Sequence, residues 1–178
     1  MEFKANLMDE QQLMRSLTRI SHEIIEKNNG AKGICLLGIK RRGIPMARII
    51  AQNIEKFEGI QVPVGHVDIS LYRDDLKVKS EAPITTGCYI PVELSDYTII
   101  LVDDVLYTAR TVRAAIEAVF SHGRPKGIQL AILVDRGHRE LPIRADYVGK
   151  NIPTSKDEVV RVMFEEYDGK TGVELYSL

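Results

Sequence analysis

Cysteine is scarce: Cys35 and Cys88 are the only two, spaced for neither a disulfide framework nor a zinc site, and both read as reduced thiols. An excess of one charge is missing too, since 24 Lys and Arg stand against 25 Asp and Glu for a formal net charge of −1 at pH 7. That balance excludes a uniformly basic nucleic-acid binder and confines any such interaction to a local patch. No apolar run approaches the roughly 18 residues a spanning helix needs, and the opening MEFKANLMDEQQ has no signal-peptide core. These absences imply a cytoplasmic protein with no membrane partner. What is present, 178 residues at 44% hydrophobic content, suits a single domain over residues 1–178 with a sizeable core.

The stretch Ile99 to Arg113, IILVDDVLYTARTVR, organises the rest. Ile99 to Val102 is a strand buried on both faces, and Asp103 and Asp104 are expected to end it. Two carboxylates beyond a buried strand are costly unless hydroxyls, a cation or solvent in a crevice meet them. The following turn carries Thr108 and Thr111, and the N–H groups opening a helix near Arg110 point the same way, which together make an anion cradle. A sugar phosphate satisfies both halves, with its ribose hydroxyls on the acids and its 5′-phosphate on the cradle. The competing account is a βα junction whose aspartates are solvated turn and cap residues.

Elsewhere the pattern is βαβ, repeated. Asp9 and Gln12 form a capping-box signature ahead of Leu13, Leu17, Ile20 and Ile24 at helical spacing, up to Asn28-Asn29-Gly30. The polar face of that helix carries Arg15, Thr18, Arg19, His22 and Glu26, which from the residues alone is a solvated face. Ile34 to Ile39 is a buried strand running into Lys40, Arg41, Arg42 and Gly43, with a helix from near Pro45 to Gly59. Three cations and a glycine at a strand's carboxyl end suit a pyrophosphate. Gln61 to Tyr72 alternates in two phases, so a bulge is expected near Gly65-His66. Arg73 to Gly87 lacks apolar periodicity and reads as a flexible lid loop, with Tyr72 and Arg73 poised for ligand. Val112 to His122 is an amphipathic helix and Ile128 to Val134 another buried strand. Asp135 to Ser155 is loop and two short strands dense in Arg136, His138, Arg139, Arg144 and Lys150. The tail, Val159 to Phe164 and Gly172 to Tyr176, reads as a hairpin around Asp168-Gly169. Alternating strands and helices predict an α/β fold, a parallel sheet with helices on both faces.

VDDVLYTART resembles the phosphoribosyl pyrophosphate motif of the phosphoribosyltransferases almost position by position. LTRISHEI, DISLYRDDL and DRGHRELPIRADYVGKN narrow the likeness to bifunctional pyrimidine-operon regulators with uracil phosphoribosyltransferase activity, over Met8 to Val173. The resemblance implies a type I phosphoribosyltransferase fold with a small hood, conversion of uracil and phosphoribosyl pyrophosphate to UMP, and Mg²⁺ carried mainly by that substrate, without a dedicated protein metal site. It also implies attenuation of transcription through the mRNA leader of pyrimidine genes, response to UMP or UTP, and a homo-oligomer. On this basis Asp103, Asp104 and Arg73 are catalytic. Substrate falls to Lys40, Arg41, Arg42, Gly43, Tyr72, Val105, Leu106, Tyr107, Thr108, Ala109, Arg110, Thr111, Val134 and Arg136, with uracil under Val134 to Ile143. RNA falls to Thr18, Arg19, His22, Arg139, Arg144 and Lys150. The alternative is a purine phosphoribosyltransferase that binds no RNA. Two departures stand out: Arg41 replaces an expected threonine, and Ala109 an expected glycine. Since alanine resists positive φ, an intact cradle requires position 109 at negative φ.

Overall fold

The computed structural model describes residues 1–70 and 87–178. Tyr72, Arg73 and the lid expected over 73–87, apart from Gly87, lie outside the described residues. In chain order the elements are β1 (Glu2–Met8), α1 (Glu10–Lys27), β2 (Ile34–Ile39), α2 (Gly43–Glu58), β3 (Val64–Val67), β4 (Thr98–Leu106), α3 (Arg110–His122), β5 (Gly127–Asp135), β6 (Tyr147–Asn151), β7 (Glu158–Met163), α4 (Glu165–Asp168) and β8 (Gly172–Ser177).

Five strands pair in parallel in the order β3-β2-β4-β5-β6. Their continuous apolar runs are explained by burial on both sides. Leu36, Ile100, Val102 and Leu133 pack with Leu13, Leu17, Ile20, Met46, Ile50 and Ile54 of α1 and α2. Their chain neighbours Cys35, Leu37, Ile99, Leu101 and Ile132 pack with Val112, Ala115 and Val119 of α3 on the other face. At α1 the expected capping box is present: the Gln12 N–H donates to Asp9 Oδ1 at 2.7 Å and the Asp9 N–H to Gln12 Oε1 at 3.0 Å. Such a cap contributes about 1 kcal/mol. A second, antiparallel sheet of order β1-β8-β7 forms the hood, with α4 in the β7–β8 connection.

Three expectations are corrected and one strand is added. β4 does not end at the acid pair but runs on to Leu106, because β5 continues beside it and pairs Asp103 with Ile132 and Val105 with Val134. β3 has no bulge. Its register with β2 is unbroken, and its two phases are two buried faces, Val64 against the α1/α2 core and Val67 against the α3 core. The stretch 135–155 holds one strand, β6, rather than two. β1 was not foreseen; it lies on β8 at the hood's edge.

α2 begins at Gly43, two residues before Pro45, because its first residue sits on the backbone of the sheet. A Cβ at Gly43 would lie 2.1 Å from the Val102 carbonyl oxygen, and one at Gly38 would lie 2.6 Å from the Gly43 oxygen. Backbone cannot give way as a side-chain tip can. Gly43→Ala is expected to lower stability by about 2–3 kcal/mol or more in denaturant unfolding. Gly127→Ala, where an added Cβ meets nothing within 4 Å, should stay within about 0.5 kcal/mol of the parent.

Candidate active site

The acid pair lies at the carboxyl end of β4, where open parallel sheets present their crevice. Asp103 is buried, 6% exposed, and Asp104 half-buried. Asp103 Oδ1 accepts from the Asp104 N–H at 2.9 Å and Asp104 Oδ1 from the Val105 N–H at 2.8 Å. Burial, and then the Asp104 charge, hold the Asp103 carboxyl well above the usual carboxylate range. Burial raises Asp104 as well, against the Val105 N–H and the Arg42 guanidinium, which draw it down.

Directly after the pair, the last residues of β4 and the loop that follows them, Val105 to Thr111, enclose a cavity of about 230 Å³ that ends at the first turn of α3. Here the expectation for Ala109 is overturned: it adopts φ 73°, ψ 7°, the left-handed conformation. Alanine in that region costs about 1–2 kcal/mol. Its methyl is buried against the α3 core, 3% exposed, which returns most of a buried carbon's worth, about 0.8 kcal/mol. The loop around it is also tied from outside. The Glu140 N–H donates to the Thr108 carbonyl at 3.1 Å, and Arg110 pairs with Glu140 at 2.6 Å.

The loop from Lys40 to Gly43 faces the pair from β2, with a cis peptide between Lys40 and Arg41. Lys40 Nζ is 3.2 Å from Asp68, Arg41 stacks on Tyr167, and Arg42 pairs with Asp168 at 2.8 Å.

The loop after β5 braces the cradle. Buried Arg136 stacks its guanidinium 4.1 Å from the Tyr107 ring centre, donating from Nε to Thr154 Oγ1 at 3.0 Å and from Nη2 to the Ser155 carbonyl at 2.9 Å. Arg139 donates to the Tyr107 and Ile143 carbonyls at 2.9 and 3.1 Å and pairs with Asp135. His138, at φ 63°, meets the Thr154 carbonyl at 2.6 Å. A cavity of about 450 Å³ is lined by Asp135, Arg136, Gly137, His138, Asn151 and Thr154, among others, and Val134, next to Asp135 in β5, is buried in the α1/α2 core. Asp135, Glu140 and Thr154 were not singled out from the sequence. Their separations from their arginine partners, 4 for Asp135–Arg139, 18 for Thr154–Arg136 and 30 for Glu140–Arg110, only acquire meaning once the loops after β4 and β5 are brought together.

The residues expected to meet RNA fall in three places. Thr18, Arg19 and His22 lie on α1, with Arg19 reaching β6. There Arg19 donates to the Val148 carbonyl at 3.2 Å and to the Gly149 carbonyl, and Lys150 donates to the Leu7 carbonyl at 3.1 Å. His22 stacks on Phe57 of α2 at 4.1 Å. Arg139 is half-buried in the brace just described. Arg144 lines a separate cavity of about 390 Å³ on the α3 side with Phe120, Arg124 and Lys126.

Acid pair, anion cradle and cationic loop around the carboxyl ends of β2, β4 and β5 define a phosphoribosyl transferase, and the family model for the phosphoribosyl transferase domain matches residues 4–167. Within that class the chain belongs to the bifunctional PyrR family. It is 59% identical over 176 residues to the bifunctional protein PyrR of Clostridium perfringens, covering 99% of both chains. It is 61% identical over 166 residues to that of Acetivibrio thermocellus, covering 93% of this chain and 90% of the other. The hypoxanthine phosphoribosyltransferase of Trypanosoma cruzi superposes with a TM-score of 0.75 at 17% identity, over 97% of this chain and 94% of that one. One from Staphylococcus aureus gives 0.73 at 19%, over 99% and 92%. The likeness to the purine enzymes is one of fold.

The strain at position 109 has a diagnostic ordering. Ala109→Gly relieves φ but loses the methyl and adds chain entropy, so stability should change by less than about 1 kcal/mol. Ala109→Val places a branched side chain at positive φ and should cost more than about 2 kcal/mol by denaturant titration. At negative φ the glycine would be the more damaging of the two.

Asp103→Asn is expected to raise the unfolding temperature, by about 2–4 °C for each kcal/mol of desolvation relieved. Because the folded-state pKa lies above the ordinary 3.8, the carboxyl group favours folding at low pH and loses that favour as pH rises through the folded-state value. The gain from the Asp103→Asn substitution should therefore grow with rising pH and vanish in acid, as melting curves across pH would record.

Proposed function

We propose that this protein is an RNA-binding attenuator of pyrimidine genes that also transfers the phosphoribosyl group from phosphoribosyl pyrophosphate to uracil, in one cytoplasmic domain. The observation that supports the chemistry is the acid pair followed without interruption by the anion cradle; full-length identity of 59–61% to proteins named bifunctional PyrR supports the pairing with regulation.

In the transfer, the bond from C1 of the ribose to pyrophosphate breaks and one to uracil nitrogen forms, and positive charge builds on the sugar between the two. Asp103 and Asp104 accept from the ribose hydroxyls. Those donors favour the ionised carboxylates that burial disfavours, drawing both groups back toward the ordinary carboxylate range as the sugar binds. The loop Val105 to Thr111 holds the 5′-phosphate, with Thr108 and Thr111 hydroxyls beside the α3 amides. Lys40, Arg41 and Arg42 receive the departing pyrophosphate. Uracil lies in the cavity after β5, over Val134 and beside Arg136, where backbone groups at the loop read its edge. The site suits Mg²⁺ carried on phosphate oxygens and water, where it would neutralise leaving-group charge.

RNA docks on the patch where α1 meets β6, through Thr18, Arg19, His22 and Lys150, with Arg139 and Arg144 flanking. A regulator that senses the product binds RNA more tightly with UMP in the crevice, and RNA then tightens UMP by the same factor. Two variants separate the functions. Arg19→Gln with Lys150→Gln should weaken RNA binding and reduce the slope of log affinity against log salt by roughly 0.7–0.9 per lost phosphate contact, leaving UMP synthesis near normal. Asp104→Asn should slow UMP synthesis on the order of a hundredfold or more and leave RNA binding without nucleotide unchanged. Near-normal turnover in Asp104→Asn, or RNA affinity indifferent to UMP, would refute the assignment.

A further inference from the structure

The hood touches the cationic loop through a single turn. α4 and its C-terminal glycine, at φ 68°, connect β7 to β8 and offer consecutive side chains to arginines of the 40–48 segment. Glu166 lies 3.5 Å from Arg48, an exposed pair that contributes little. Tyr167 and Asp168 are different. The Arg41 guanidinium carbon stands 5.6 Å from the Tyr167 ring centre, and Arg42 Nη2 is 2.8 Å from Asp168 Oδ1. Asp168 is itself immobilised: its carboxylate is 13% exposed, and its second oxygen accepts from the Phe164 N–H at 3.0 Å, closing the turn it belongs to. Among the described residues the buried Arg42 Nε has no hydrogen-bond partner, so the guanidinium is anchored there at one nitrogen and retains an uncommitted donor at another. The same guanidinium acts electrostatically on Asp104. Arg42 thus bridges the hood and the acid pair. Arg41, the residue that departs from the expected threonine, is the one that stacks on Tyr167.

We propose that Asp168 and Tyr167 are positioning residues for the pyrophosphate half of the reaction, a clasp by which the hood fixes Arg42 and Arg41 before substrate arrives. Two arginine side chains otherwise lose their rotamer freedom on binding, and a pre-set pair avoids that cost. The proposal rests on Lys40 to Gly43 being the pyrophosphate loop.

The test measures kcat, KM for each substrate, inhibition by inorganic pyrophosphate and the melting temperature for Asp168→Asn, Asp168→Glu, Tyr167→Leu and Arg42→Gln. Asp168→Asn should raise KM for phosphoribosyl pyrophosphate and weaken pyrophosphate inhibition, each about tenfold, with KM for uracil within about twofold. Asp168→Glu should recover part of the loss, and Tyr167→Leu should show the same pattern at about two- to threefold. Asp168→Asn combined with Arg42→Gln should be no worse than Arg42→Gln alone. A lowered melting temperature with unchanged pyrophosphate inhibition in the three hood variants would reduce the clasp to a structural contact and overturn the proposal. A fall in KM on losing Asp168 would also overturn it, showing that the carboxylate competes with substrate for Arg42. If Arg42→Gln itself leaves pyrophosphate inhibition untouched, the assignment of the loop fails and the clasp with it.

Discussion

The Val102 carbonyl leaves no room for a side chain on residue 43, and the crevice depends on that contact. Gly38 pairs with Val102 across β2 and β4 and is itself pressed by the Gly43 carbonyl, so three backbones meet without intervening side chains. The start of α2 is thereby lowered onto the sheet at the place where β4 delivers its two aspartates. The positive end of its dipole joins the cations of residues 40–42 on the same side. A bulkier residue at either glycine would lift the helix and widen the gap between Arg42 and Asp104, weakening the field that makes a half-buried carboxylate tolerable there.

The remaining parts of the crevice are loops, and they are held by other loops. The cradle after β4 closes against the segment after β5 through the Glu140 N–H, the Tyr107–Arg136 stack and the Arg139 bonds to the Tyr107 carbonyl. This bracing accounts for two locally unfavourable features, a left-handed alanine and a buried carboxyl with a raised pKa. One sits in the loop after β4 and the other in the strand just before it, and both are what a site must tolerate if it presents backbone amides to one end of a sugar phosphate and charge to the other.

The sheet and its covering helices were legible because their patterns have local causes: continuous apolar runs for two-sided burial, 3.6-residue spacing for α1 and α3, and Asp9 with Gln12 for a helix start. The acid pair and cradle were legible as residue types at a fixed spacing. What escaped depends on partners far away in the chain. β1 is polar and mostly exposed, and is a strand because β8 lies beside it. Arg136 and Arg139 look like surface charge until Asp135, Tyr107 and Thr154 are placed around them. Arg41 looked like one more positive charge and proves to have an aromatic neighbour in the hood. The backbone angle at Ala109 is not encoded by residue type at all; the surrounding ties impose it.

The hood carries a temporal consequence. Its register sets Glu2 against Ser177 and Met8 against Val173, the longest-range pairing in the fold, whereas β4 and β5 are neighbours joined by the single crossover α3. During synthesis β1 therefore waits longest for its partner, because every strand of the five-stranded sheet precedes β7 and β8 in the chain. Until then Arg41 and Arg42 lack Tyr167 and Asp168, so the nascent crevice holds its acids and its cradle while its cationic rim is still loose. The strand that waits, Glu2–Met8, carries Glu2 and Lys4 along its exposed length, charges suited to discourage pairing with a neighbouring chain in the interval.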